Sequence, residues 1–95
     1  FSIGNHAMPV YCVSYDLNKA GQNYNALYEE LKKSPGYCHP LDSTWLVSTT
    51  ESAQQLSDRL RKNIDNNDSL LVIGVTNQYA GWLPKTTWEW IHKHV

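Results

Sequence analysis

The chain has 95 residues, which is enough for one domain with one core and too short for two. Its 41% hydrophobic and 18% charged residues exclude a disordered polar chain, and no run of 18 apolar residues is present to span a membrane. Eight basic against nine acidic side chains give a net charge of −1, without the basic excess that a dedicated nucleic-acid binder usually carries.

Residues 1–7 have no basic stretch followed by a long apolar one, so they do not read as a signal peptide. Met8-Pro9 reads as a natural start, with residues 1–7 as a leader ahead of it and residues 8–95 as the single domain. Two cysteines, Cys12 and Cys38, are too few for a disulfide scaffold of this length and read as reduced, structural thiols. Together with the lack of an export signal they favour the cytoplasm.

Val10 to Tyr15 is β-branched and aromatic with no charge on either face, which predicts a central, covered strand ending at Asp16. Gly21 breaks the loop that follows. Tyr24, Leu27, Tyr28 and Leu31 fall at i, i+3, i+4 and i+7 and predict an amphipathic helix, stopped by Ser34-Pro35-Gly36. Tyr37-Cys38-His39 is a short strand candidate, which Pro40 confines to an edge or a strand end. Ser43 to Thr49 is a stronger one, joined to the first by a hairpin-like link. Thr50 is the expected N-cap of a second helix carrying Ala53, Leu56, Leu60 and Ile64 on one face and running to about Asp65. Leu70 to Val75 is a continuous apolar strand, expected to be buried on both sides or covered by helices. Residues 77–83 read as loop or a short edge strand around Tyr79 to Trp82. Pro84 suits the first position of a final helix bearing Trp88, Ile91 and Val95 on one face.

The order strand, helix, strand, strand, helix, strand with an appended helix predicts an α+β fold. Right-handed crossovers close it into a ferredoxin-like βαββαβ sheet with two helices on one face and an extra C-terminal helix. The strands of Cys12 and Cys38 are then not neighbours, which argues against a disulfide between them. Four Trp and six Tyr are too many to leave the second face of the sheet bare. Either the final helix or a second protomer covers it, and a symmetric homodimer is the favoured solution.

Asp16 is the most suggestive single residue, because it ends a central strand and would be presented by a rigid scaffold. It could bind a divalent metal or cap its own loop through an Asx-turn. In a dimer, two copies of Asp16 could share a metal and activate a water for phosphodiester attack. His92 and His94 point about 200° apart on a helix, and His39 beside Cys38 lacks the second pair that a zinc site needs, so the histidines read as structural. Arg59, Arg61 and Lys62 form a small basic cluster that could touch phosphates or be a solvated face.

Val13-Ser14-Tyr15-Asp16-Leu17 resembles the first-strand signature of the small CRISPR-associated nuclease family, to which the VapD toxins look related. Ser43-Thr44-Trp45 stands where that family has a Ser-Val-Phe stretch. Asp68-Ser69-Leu70-Leu71-Val72-Ile73 is similar to its last core strand, so the resemblance spans about residues 8–76. The pattern V-S-Y-D-L-N-K and the Trp-rich C-terminal segment also resemble small bacterial proteins of SinR type. The resemblance implies a homodimer, Asp16 as catalytic and metal-binding carboxylate, Mg²⁺ or Mn²⁺ as cofactor, and RNA or DNA as substrate or partner. The chain departs from the family in three ways: Lys19 is the only basic residue in the loop after Asp16, Leu46 follows Trp45 where an acidic residue is expected, and the net charge is −1. These departures favour a dimeric nuclease-like module that contacts nucleic acid, through Lys19, Arg59, Arg61 and Lys62, or another protein, with little or no catalysis. The alternative is a metal-dependent endoribonuclease, deoxyribonuclease or toxin using Asp16 from both protomers.

Overall fold

The computed structural model describes residues 8–18 and 24–95, so the leader reading of residues 1–7 lies outside them. The chain runs β1 (Val10–Asp16), α1 (Asn25–Lys32), β2 (Gly36–Leu41), β3 (Thr44–Ser48), α2 (Ala53–Arg61), β4 (Ser69–Gly74) and α3 (Lys85–His94). The fold is α+β, with four strands in one antiparallel sheet of order β2-β3-β1-β4.

Period-two alternation sorts the strands onto two faces. Tyr11, Val13 and Tyr15 of β1 and Trp45 and Val47 of β3 pack against Leu27 and Leu31 of α1 and Leu56 and Leu60 of α2. The four leucines are fully buried. Each contributes about 1.5–3 kcal/mol by leaving water. Helices α1 and α2 therefore cover the same face, and β1 is central, as its uncharged sequence predicts. The rings in this layer are also tied together by polar atoms. Trp45 Nε1 donates to the Tyr15 hydroxyl (2.9 Å), which donates to the Asp42 carbonyl (3.2 Å).

Several boundaries differ from the expected ones, each for a local reason. Helix α2 is capped by Ser52, not Thr50. The Ser52 hydroxyl accepts from the Gln55 amide (3.1 Å), and the Gln55 side chain accepts from the Ser52 amide (2.8 Å). This reciprocal box satisfies two amides at once, which Thr50 could not match with Ala53 three positions on. The helix ends at Arg61 rather than Asp65, because Asn63 and Ile64 donate to Leu60 and Arg61, three residues back, and tighten the last turn. Strand β2 is longer than its weak sequence signal and runs through Pro40, which the outer edge of the sheet tolerates. Pro84 takes the N-cap of α3 instead of its first helical position. Residues 75–84 form no strand, and Trp82 is 99% exposed.

Of the two arrangements expected for β4, the sheet covered by helices is found, on one face only. The strand's continuous apolar run is not covered on both sides. Leu70 and Val72 pack against the core, whereas Leu71 and Ile73 are 56% and 54% exposed on the other face. Helix α3 covers only part of that face. It packs on β2 with Ile91 buried, and its last turn brings His94 over Gly36. A Cβ on Gly36 would stand 3.2 Å from Ser48 Cβ and 3.4 Å from His94 Nε2, so glycine is what allows this close approach. Val10 and Ser48, next to Gly36 in the sheet, are buried.

Candidate functional site

Asp16 is the last residue of β1, paired with Ser69 of β4, and its side chain is exposed. No described residue donates a hydrogen bond to its carboxylate, so the Asx-turn alternative is not formed there. Alternation places it on the same face as Ser14. A shallow hollow of about 230 Å³ is lined by Ser14, Asp16, Ser69, Leu71 and the backbone neighbours Tyr15 and Leu70. Ser14 Oγ lies 3.5 Å from Thr44 Oγ1 on β3.

The carboxylate that organises this end of the molecule is Asp68. Its Oδ1 accepts from the Asn18 amide (2.8 Å) and the Tyr24 hydroxyl (2.9 Å), and its Oδ2 accepts from the Asp65 amide (2.7 Å). Asn18 adds a bond from its side-chain amide to the Asn67 carbonyl (3.0 Å). Desolvation pushes the Asp68 carboxyl up, but the donors from Asn18, Asp65 and Tyr24 and the nearby Arg61 charge outweigh it and hold the pKa below the ordinary value. Asp68 thus ties the loop after β1 and the start of α1 to the α2–β4 turn. The sequence signal was the turn-forming run Asn66-Asn67-Asp68, which announces a turn but not its distant partners.

The basic cluster is divided by the fold. Arg59 grips Glu51 through two parallel bonds of 2.9 Å and also donates to the Glu30 carbonyl (2.7 Å), the Glu30 carboxylate (3.1 Å) and the Ser34 hydroxyl (3.0 Å). Hydrogen bonds from Arg59 outweigh partial burial and hold both Glu30 and Glu51 below the usual carboxylate range. Arg59 is therefore a clamp between α1, α2 and the β3–α2 loop. Arg61 donates to the Ile64 carbonyl (3.2 Å) and Asn66 Oδ1 (2.9 Å), bracing the turn after α2. Lys62 caps α2 and is exposed. Lys19 lies outside the described residues.

Each described histidine lies against a tryptophan. His39 stacks on Trp45 at 4.2 Å, His94 on Trp90 at 4.0 Å, and His92 on Trp88 at 6.1 Å between ring centroids. His39 and His92 are exposed and His94 is half-buried, as the surface or partly buried reading expects. Cys12 and Cys38 are free and sit on strands separated by β3, each opposite Leu46. Burial pushes the Cys38 thiol up to about 11 and raises that of Cys12, so neither is a ready thiolate at neutral pH.

A hard divalent cation takes about six oxygen ligands. Within one chain the hollow offers one carboxylate and two hydroxyls, and no three His, Cys, Asp or Glu side chains converge among the described residues. That donor set does not by itself make a metal site. No helix of the described residues is long and apolar enough to cross a membrane.

The solved structure of the hypothetical protein TT1823 from Thermus thermophilus is similar to this chain, at 22% identity and a TM-score of 0.60 over 81% of this chain and 95% of that one. No family model and no curated protein matches the chain. At this identity the likeness to TT1823 shows a shared α+β fold.

Proposed function

We propose that this chain is a ferredoxin-like homodimeric module, related to the small CRISPR-associated nuclease family and its VapD-like and SinR-type relatives, that contacts nucleic acid or another protein with little or no catalysis. The strand order supports the fold assignment. Counted from the opposite edge it is β4-β1-β3-β2, the order expected when two split βαβ units interleave, each taking one strand of the other between its own two. The bare apolar side chains of β4 support a partner on that side. Two unpaired cysteines support a cytoplasmic setting.

One observation carries the non-catalytic reading. The charged groups best suited to phosphate chemistry are engaged in holding the fold, Arg59 by Glu51 and Glu30 and Asp68 by three donors. Of the predicted contact residues that the structure describes, Lys62 is exposed and Arg61 bonds uncharged acceptors of its own turn. The second reading, a metal-dependent nuclease, draws on a different fact: the Asp16 carboxylate is exposed and accepts no bond from the described residues. It requires the partner's Asp16 to complete a Mg²⁺ or Mn²⁺ site. Incubation of labelled single-stranded RNA and duplex DNA with Mg²⁺, Mn²⁺ or EDTA separates the two. We expect no metal-dependent cleavage. Cleavage that disappears in Asp16→Ala would establish the nuclease instead.

A further inference from the structure

The two outer edges of the sheet are built differently, and among the described residues the β4 edge is unpaired. The pairing of β1 with β4 runs without a shift from Tyr11↔Gly74 to Asp16↔Ser69, and Val75 N donates to Val10 O at 2.8 Å. In an antiparallel ladder, residues that exchange bonds with a neighbour alternate with residues whose N–H and C=O point away. Val75 bonds inward, so Ile73, Leu71 and Ser69 do too. The main-chain groups of Leu70, Val72 and Gly74 point out of the sheet, and no described backbone group bonds them there.

We propose that this edge pairs with the β4 edge of a second copy, antiparallel across a two-fold axis at Val72. The proposal rests on the homodimer reading above and gives it an interface. In that register Val72 faces its own copy, and Leu70 faces the partner's Gly74. All three outward residues then exchange both N–H and C=O bonds, and none is left over. Leu71 comes opposite the partner's Ile73, so the side chains now 56% and 54% exposed become direct cross-strand neighbours. Gly74 leaves space for Leu70 of the other copy, since a Cβ there would meet nothing within 4 Å. The absence of charge from Ser69 to Gly74 fits this occupant in particular. A two-fold axis sets every strand charge against a like charge, and β4 has none.

This geometry bears on catalysis. Asp16 sits beside Ser69, three residues from the axis and one strand inward. Strand spacings of 4.8 Å and rises of 3.4 Å then put the two Asp16 Cα atoms about 25 Å apart, too far to share one metal ion.

Light scattering across a dilution series, combined with amide hydrogen exchange, tests the pairing. The expected result is a dimer in which the amides of Leu70, Val72 and Gly74 are protected and lose that protection at least tenfold on dilution to monomer. The amides of Leu71 and Ile73, bonded to β1, stay protected throughout. Val72→Pro removes an outward N–H without removing a bond inside the sheet, and is expected to give a folded monomer by circular dichroism. A wild-type dimer whose Leu70, Val72 and Gly74 amides exchange as fast as in the monomer, or a folded Val72→Pro that stays dimeric, overturns the edge pairing and leaves the homodimer standing. A wild type that is monomeric at every concentration overturns both. If Val72→Pro does not fold, the exchange pattern of the wild type decides alone.

Discussion

The β2 and β4 strands are both edges of one sheet, yet only one is closed to further pairing. Along β2 the register with β3 slips, so that three steps from Cys38 to Leu41 match two from Leu46 to Thr44. This bulge and Pro40 each break the row of evenly spaced donors and acceptors that another strand would need, and α3 packs on the adjoining face at Gly36. None of these devices is present on β4, which is regular, uncharged and free of proline. A sheet edge is closed by particular residues, not by position, and here they are concentrated on one side. The chain spends its third helix on the β2 half and leaves Leu71 and Ile73 in water.

The contrast depends on a common core that holds both edges, and the largest expected effect comes from that core. Leu60 is fully buried under α2, the helix that also covers the inner face of β4. Leu60→Ala should cost about 3–4 kcal/mol, read as a lower denaturation midpoint with an unchanged slope. A loss below about 1 kcal/mol would mean that α2 does not anchor β4 as described.

Next in size is the Arg59 clamp. Its ion pairs with Glu51 and Glu30 are three-quarters or more buried at Arg59 and somewhat more open at Glu51. Arg59→Ala should therefore cost about 2–3 kcal/mol, between the values for exposed and buried pairs. The same pairs set a pH dependence. Both carboxyls titrate below their ordinary value of about 4.5, so the clamp contributes fully above that pH and is lost as the pH falls below it. Thermal melts between pH 6 and pH 3 should show a smaller acid loss in Arg59→Ala than in the wild type. Parallel curves for the two would remove Arg59 from this role.

Much of this architecture was legible in the sequence. The 3.6-residue spacing of Leu27, Leu31, Leu56 and Leu60 and the β-branched run around Val13 reported the helix-covered face, because that face is one continuous apolar layer. The status of β4 was not legible. Leu70 to Val75 reads the same whether a strand is covered on two faces or stands bare on one, since periodicity vanishes in an all-apolar run. The Arg59 clamp was equally hidden. Glu30, Glu51 and Arg59 are far apart in the chain, and Arg59 resembled a solvated charge until the fold brought its partners to it. Asp16 could be placed at a strand end from the sequence. Whether its carboxylate was already bonded could be seen only once Asp68 was found to serve the neighbouring loop.

The smallest effects compare the two edges most directly, through one glycine on each. At Gly36 an added methyl meets Ser48 at 3.2 Å and the ring of His94 at 3.4 Å, so Gly36→Ala must push the end of α3 off the sheet or shift β3. A destabilisation of about 1–2 kcal/mol is expected. At Gly74 an added methyl meets nothing within 4 Å. Gly74→Ala also restricts the unfolded chain, so at a dilution where the chain is monomeric it should leave stability unchanged or raise it by about 0.5 kcal/mol. The quantity to measure is the difference between the two substitutions in the same denaturant titration. Equal losses would mean that both edges are packed alike. A loss at Gly36 with none at Gly74 would show α3 packed against β2 and open space beside β4 in the single chain.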